Sequence, residues 1–161
     1  MKKGYILLIM IYFVWLFGCS NNNTITTVGD IFQNQKDIKA VYYNNEVLLN
    51  KSVEIQNFKE LIEGIKVKEI SHEEFREIFQ SLGEFREKQE SLALFLHHGE
   101  NIREEPPSII IEVTSDGTFT LNELDEEGKV ITDYLITEKH TELFQEIKRF
   151  FPETEQEPLF P

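Results

Sequence analysis

The amino-acid sequence predicts an α+β domain in which an antiparallel sheet packs against two to three amphipathic helices. Three observations carry that prediction. Between residues 108 and 137, β-rich runs are separated by Asp116-Gly117 and by Asp125-Glu126-Glu127-Gly128, the pattern of a three-stranded antiparallel meander. Residues 71–83 and 138–151 carry apolar side chains at helical spacing, each bounded by start and stop signals. The 161-residue chain also holds 13 phenylalanines, enough aromatic surface to build a core without staples.

The elements follow in order. Residues 38–43 alternate and are rich in Val, Ile and Tyr, which suits a strand. Asn44-Asn45 tolerates positive φ and can turn the chain into a second strand at 46–49. Asn57 to Glu60 has the form of a capping box, with Phe58, Leu61, Ile62 and Ile65 at helical spacing and Gly64 at a stop. This predicts a helix over 57–64. Residues 65–70 suit a short strand or a connector. Ser71-His72-Glu73-Glu74 is a capping box of the S-x-x-E form, followed by the stripe Phe75, Ile78, Phe79 and Leu82, with Gly83 at the stop.

Residues 84–91 stay open. Phe85 and Gln89 extend the helical pattern past Gly83, at a cost of about 1 kcal/mol for the glycine. Residues 92–98 form a strand with Leu92, Leu94 and Leu96 on one face. A polar loop over 99–107 ends in Pro106-Pro107, which is incompatible with a central strand. The meander begins with Ile109, Ile110, Ile111 and Val113 and returns with Phe119 and Leu121 on one face. The last helix buries Leu143, Phe144, Ile147, Phe150 and Phe151. Lys148 and Arg149 suit its negative end, Glu138 its positive end, and Pro152 stops it. Residues 35–152 thus form one domain, with helices over one sheet face and solvent on the other. Residues 153–161, acidic and flanked by Pro, form a disordered tail.

Charge and cysteine content exclude several classes. The chain has 16 Lys+Arg against 29 Asp+Glu, a formal net charge of −13. Such acidity argues against nucleic acid, whose phosphates need a basic surface. A single cysteine rules out a disulfide framework and any multi-cysteine zinc or iron–sulfur site.

The amino terminus carries the sharpest motif. Lys2 and Lys3 precede an apolar run of about 12 residues, the length of a signal-peptide h-region, whereas a membrane span needs about 20. The run ends in Leu16-Phe17-Gly18-Cys19. This resembles the lipobox of bacterial lipoproteins, with Leu16 at −3, Gly18 at −1 and the obligatory cysteine; Phe17 is larger than is usual at −2. The resemblance implies that residues 1–18 are a signal peptide removed before Cys19, whose sulfur receives a diacylglyceryl group. It further implies a cell-membrane lipoprotein on the extracytoplasmic face. In overall organisation the chain resembles small lipoproteins of Gram-positive bacteria, but the resemblance ends with the targeting segment. The alternative is an uncleaved signal anchor. Two acyl chains make a stable anchor where one does not. Residues 19–34 then form a lipid-anchored polar tether; about 15 flexible residues reach about 20 Å.

No chemistry of comparable sharpness follows. There is no G-x-S-x-G elbow, and no histidine stands at a recognisable spacing from a serine. His72-Glu73 opens like H-E-x-x-H, but Arg76 occupies the second histidine position. His97-His98, with Glu100 close by, is the densest donor cluster. It is the basis of the alternative reading, a divalent-metal-binding protein or metal-dependent hydrolase using His97, His98 and acidic residues. Adjacent side chains on a strand point to opposite faces, which makes sharing one ion difficult. Glu123, Asp125, Glu127 and Gly128 imitate half of a calcium loop, but Tyr134 stands where the bidentate Glu belongs. The leading expectation is therefore a non-enzymatic, membrane-anchored module that binds another envelope protein or a ligand. No cofactor, catalytic residue or metal ligand is assigned, and oligomeric state is left open.

Overall fold

Among the described residues, eight strands pair antiparallel into one sheet. The computed structural model describes residues 24–35, 37–43, 46–99 and 105–151, with backbone alone for 46–48. The strands are β1 (Ile25–Thr27), β2 (Ala40–Tyr43), β3 (Glu46–Leu49), β4 (Lys66–Ile70), β5 (Ser91–His97), β6 (Ile109–Thr114), β7 (Phe119–Leu124) and β8 (Val130–Ile136); across the sheet they follow the order β1-β4-β8-β7-β6-β5-β2-β3. The helices are α1 (Val28–Asn34), α2 (Ser52–Ile62), α3 (His72–Ser81), α4 (Gly83–Glu87) and α5 (Thr141–Phe150). The α+β architecture is as the sequence predicts, and the C-terminal meander extends back through β5. Among the described residues no helix is long and apolar enough to cross a membrane.

One sheet face holds the apolar core. Leu94, Leu96, Ile109, Ile111, Leu121 and Val67 are fully buried there, beneath Phe58 and Ile62 of α2 and Ile147 of α5. Phe58 meets Phe150 edge-on and Phe151 at a tilt, so the two phenylalanines closing the chain's last helix join it to α2. The Asp116-Gly117 turn forms as expected. Gly117 adopts φ +83°, and its carbonyl accepts from the His140 N–H at 3.2 Å, joining the hairpin to the start of α5.

Four boundaries differ from the sequence reading or decide what it left open. The first is the tether assigned to residues 19–34. Thr24 onward belongs to the folded domain: β1 pairs with β4, and α1 buries Val28, Ile31 and Phe32 in the core. Thr27 caps α1, its Oγ1 accepting from the Asp30 N–H at 3.1 Å while the Asp30 carboxylate accepts from the Thr27 N–H at 3.1 Å. The local polarity of 20–27 masks a capping box written Thr-x-x-Asp. Second, α2 begins at Ser52, so Asn57 lies inside the helix and not at its cap. Packing of Ile55 with Phe58 and Ile62 outweighs the local capping signal. Third, 66–70 is a strand because Val67 and Ile70 are buried between β1 and β8. Fourth, α5 starts at Thr141, with Glu138 ahead of it.

The second sheet face is not open to solvent throughout. Helices α3 and α4 lie across it over a polar layer that includes Glu112, Thr114, Thr120, Asn122 and Asp133, all buried. Ser71 caps α3 as predicted, accepting from the Glu74 N–H at 3.1 Å. Its stripe packs shallowly: Phe75 and Ile78 are half-buried and Phe79 is 45% exposed. The signal segment, Cys19, Asn44-Asn45, residues 100–104 and the acidic tail lie outside the described residues.

Candidate functional site

The register gathers the polar side chains at one end of the sheet. Ile25 faces Lys68, Ile70 faces Asp133, Asp133 faces Asn122, and Ala40 faces His97. That end bears Ile70, the 125–129 turn, His97 and the start of β2.

His97 and His98 do not share a site. His97 is buried on the polar face of the sheet, its ring edge-on to Tyr42 with centroids 5.0 Å apart. Among the described residues its Nδ1 has no hydrogen-bond partner. Burial pushes the His97 imidazole below its ordinary pKa; a backbone hydrogen bond at Glu105 and that residue's charge oppose the shift, and His98 adds to it. His98 is half-buried on the other side of the chain. Its Nδ1 lies 3.4 Å from the Asp37 carbonyl and its Nε2 lies 3.3 Å from Gln35 Oε1. Gln35 also donates to Glu123 through Nε2, which holds its amide oxygen toward His98. Among the described residues no group of three or more His, Cys, Asp or Glu is placed to hold a metal ion.

The acidic turn is divided by its own hydrogen bonds. Asp125 Oδ1 accepts from the N–H groups of Glu127 at 3.0 Å and Lys129 at 2.8 Å, and Gly128 takes φ +78°. Glu123 points instead to the core side, accepting from Gln35 and from the Tyr134 hydroxyl at 3.5 Å. The half-loop read in the sequence is therefore a self-capped hairpin turn.

Two polar constellations on the second face were not singled out from the sequence. Asp133 is 4% exposed and accepts from Asn122 Nδ2 at 2.6 Å and from His72 Nδ1 at 3.0 Å. With Nδ1 donating, the largely exposed His72 ring presents Nε2 as a hydrogen-bond acceptor. A buried carboxylate orienting an exposed imidazole is the base half of a triad. The neighbouring Ser71 hydroxyl serves the α3 cap. The second constellation is Arg86 against Glu112, with Nε–Oε1 at 2.8 Å and NH2–Oε2 at 2.5 Å, a bidentate pair. The same guanidinium lies 3.7 Å from the Phe79 ring centroid. Both pairings join residues far apart in the chain. The signals that foreshadow them are an S-x-x-E cap ending beside a histidine and acids inside β-rich runs.

Two clefts flank this end of the sheet. One, of about 680 Å³, lies between the start of β2 and the start of α2 and includes Lys39, Tyr42, Gln56 and Lys59 in its wall. The other, of about 620 Å³, runs past Gln35, His98, Glu105, Pro107, Leu124 and Ile131. Comparison with protein-family models, with curated proteins and with solved structures found no match.

Proposed function

We propose that this chain is a membrane-anchored extracytoplasmic lipoprotein, held through diacylglyceryl Cys19, whose folded domain is a non-enzymatic interaction or ligand-binding module. The observation that carries the reading is Leu16-Phe17-Gly18-Cys19, placed directly after two lysines and an apolar run too short to span a bilayer comfortably. The two clefts at one end of the sheet supply concave surface for a ligand or an envelope partner. The metal-dependent alternative has weaker support, since His97 lies buried against Tyr42 while His98 turns to Gln35 and the Asp37 carbonyl.

The test is metabolic labelling with an alkyne-tagged palmitate in a bacterial host, on the wild-type chain and Cys19→Ser. The expected result is label on the wild type alone, with a mature mass that begins at Cys19. Equal labelling of both chains, or a wild type with a free thiol, overturns the lipoprotein reading.

A further inference from the structure

We infer that the cleft between the start of β2 and the start of α2 binds a small soluble molecule through a phosphate group, held by Lys39, Lys59 and the Tyr42 hydroxyl. The inference rests on the ligand-binding part of the function proposed above and not on the anchor. Charge is the first observation. The chain carries 29 acidic against 16 basic side chains, yet two lysines and one carboxylate, that of Asp37, line this cleft. Among the described residues, Lys51, Lys68 and Lys139 are paired with carboxylates. Lys39 and Lys59 are in no such pair; the Lys59 ammonium lies 5.6 Å from the centroid of the Phe32 ring. An anion entering the cleft meets two cations that no ion pair already holds.

Tyr42 supplies the independent observation. It is 4% exposed, and its hydroxyl has no hydrogen-bond partner among the described residues. A buried phenol normally finds one. His97 Nδ1 is the one fully enclosed polar side-chain atom without a partner among those residues. The Tyr42 hydroxyl therefore reaches open space, and the open space that Tyr42 lines is the cleft. Burial pushes this phenol above its ordinary pKa of 10.0, so it keeps its proton and donates. Helix α2 adds further donors. Ser52, its first residue, lines the cleft, and no side chain caps the helix. The N–H groups of the first turn and the positive end of the helix dipole are left for an anion. Two ammonium groups, a phenol and open amides exceed what the two oxygens of a carboxylate can use. A phosphate group presents three oxygens and a charge of about −1.5 to −2. At about 680 Å³ the cleft has room for the rest of a small phosphorylated molecule. The net charge of −13 is repelled by an anionic bilayer, which favours a soluble ligand over a lipid headgroup.

The test follows thermal unfolding of the full chain in detergent at about pH 8, as inorganic phosphate replaces chloride at constant ionic strength. Two variants accompany the wild type: Lys39→Gln combined with Lys59→Gln, and Tyr42→Phe, which keeps the ring against His97. Circular dichroism confirms that each folds. Phosphate raises the midpoint of any protein gradually, by exclusion from its surface. A bound phosphate adds a rise that grows with the logarithm of its concentration above the dissociation constant. The expected result is that added rise in the wild type, its loss in the double variant, and an onset at about tenfold higher phosphate in Tyr42→Phe. Superimposable curves for wild type and double variant overturn the site. Acetate that reproduces the wild-type rise overturns the phosphate assignment and leaves the ligand-binding reading standing. sn-Glycerol 3-phosphate and dihexanoyl phosphatidic acid present the same head without and with acyl chains; a response to the second alone overturns the soluble ligand. The intact mass of the same preparation reports the diacylglyceryl group on Cys19 separately, so the site can fail while the lipoprotein reading stands.

Discussion

His72 Nδ1 lies 3.0 Å from Asp133 Oδ2, across 61 positions of sequence, and joins the first turn of α3 to the centre of β8. The two partners differ sharply in environment: the His72 side chain is 64% exposed and that of Asp133 4%. Asn122 supplies the second hydrogen bond that a buried carboxylate needs, at 2.6 Å. Asp133→Ala leaves the Asn122 amide buried without its acceptor and releases α3 from the sheet. The expected loss is about 2–3 kcal/mol, against about 1 kcal/mol for His72→Ala, whose removal lets water reach Asp133. Urea unfolding of the two single variants and the double variant measures this. A coupling energy near zero would show that the pair contributes no joint stabilisation.

Acid stability should fall in two stages. Burial holds the His97 imidazole below its ordinary pKa of 6.5. The unfolded chain therefore binds a proton that the folded chain resists. The stability tied to this group is complete above about pH 6.5 and is lost as pH falls toward the folded value. Asp116 acts lower. Burial pushes its carboxyl up, but hydrogen bonds from Lys139, the Thr114 hydroxyl and Thr118 outweigh burial and hold it well below the usual carboxylate range of 3.8. Its contribution is present above that value and is lost as pH falls further. His97→Phe should flatten the stage that sets in below about pH 6.5 while preserving the edge contact with Tyr42, and Asp116→Asn should flatten the later stage that sets in below about pH 4. Thermal midpoints recorded from pH 8 to pH 3 for the three chains separate the stages; parallel curves for wild type and His97→Phe would remove His97 from the account.

Gly117 and Gly64 should respond oppositely to alanine. At Gly117 the backbone lies at φ +83°, and an added Cβ would come within 2.6 Å of the His140 carbonyl carbon and 2.7 Å of the Thr141 nitrogen. Those are backbone atoms at the start of α5, which cannot move without disturbing Leu143 and Phe144 in the core. The left-handed conformation alone costs alanine about 1–2 kcal/mol, and the clash adds to it. At Gly64 nothing lies within 4 Å of the added carbon. There alanine should be neutral or stabilise by about 0.4–1 kcal/mol, by restricting the unfolded chain. Thermal melts of the two variants give the comparison.

The parts of the fold legible in the sequence are those where local chemistry and tertiary packing agree. The Asp116-Gly117 hairpin, the Ser71 cap and the alternation of Leu92, Leu94 and Leu96 are of this kind. Helix α2 is not: its true start at Lys51-Ser52 has no side-chain cap, whereas the cap-like Asn57 lies in its interior. The polar constellations of the second face were hidden for another reason. Nothing local to His72, Asp133, Arg86 or Glu112 indicates its partner, because each pairing is created by the order of strands in the sheet. The acidic turn misleads in the converse way. Its residues sit close together in sequence, yet pleating sends Glu123 to one face, and the turn's own N–H groups engage Asp125.

Residues 24–34 offer the sharpest test of where the domain begins. They are short of strong hydrophobic patterning and follow a polar run, so composition assigns them to a tether. Their backbone nevertheless closes the sheet edge, with Val28 N–H donating to the Ile65 carbonyl at 3.0 Å and Gly29 N–H to the Glu63 carbonyl at 2.9 Å. Val28, Ile31 and Phe32 are buried against the core. At about 1.5–3 kcal/mol for each fully buried side chain, their loss approaches the whole stability of a domain this size. A chain starting at residue 24 should therefore unfold cooperatively with the stability of the longer protein. A chain starting at residue 35 should be largely unfolded or aggregated, since its removal uncovers Val67 and leaves β4 as a bare edge. Far-UV circular dichroism and urea titration of the two truncations decide the matter. A stable, cooperative 35–161 chain would return residues 24–34 to the role of a spacer.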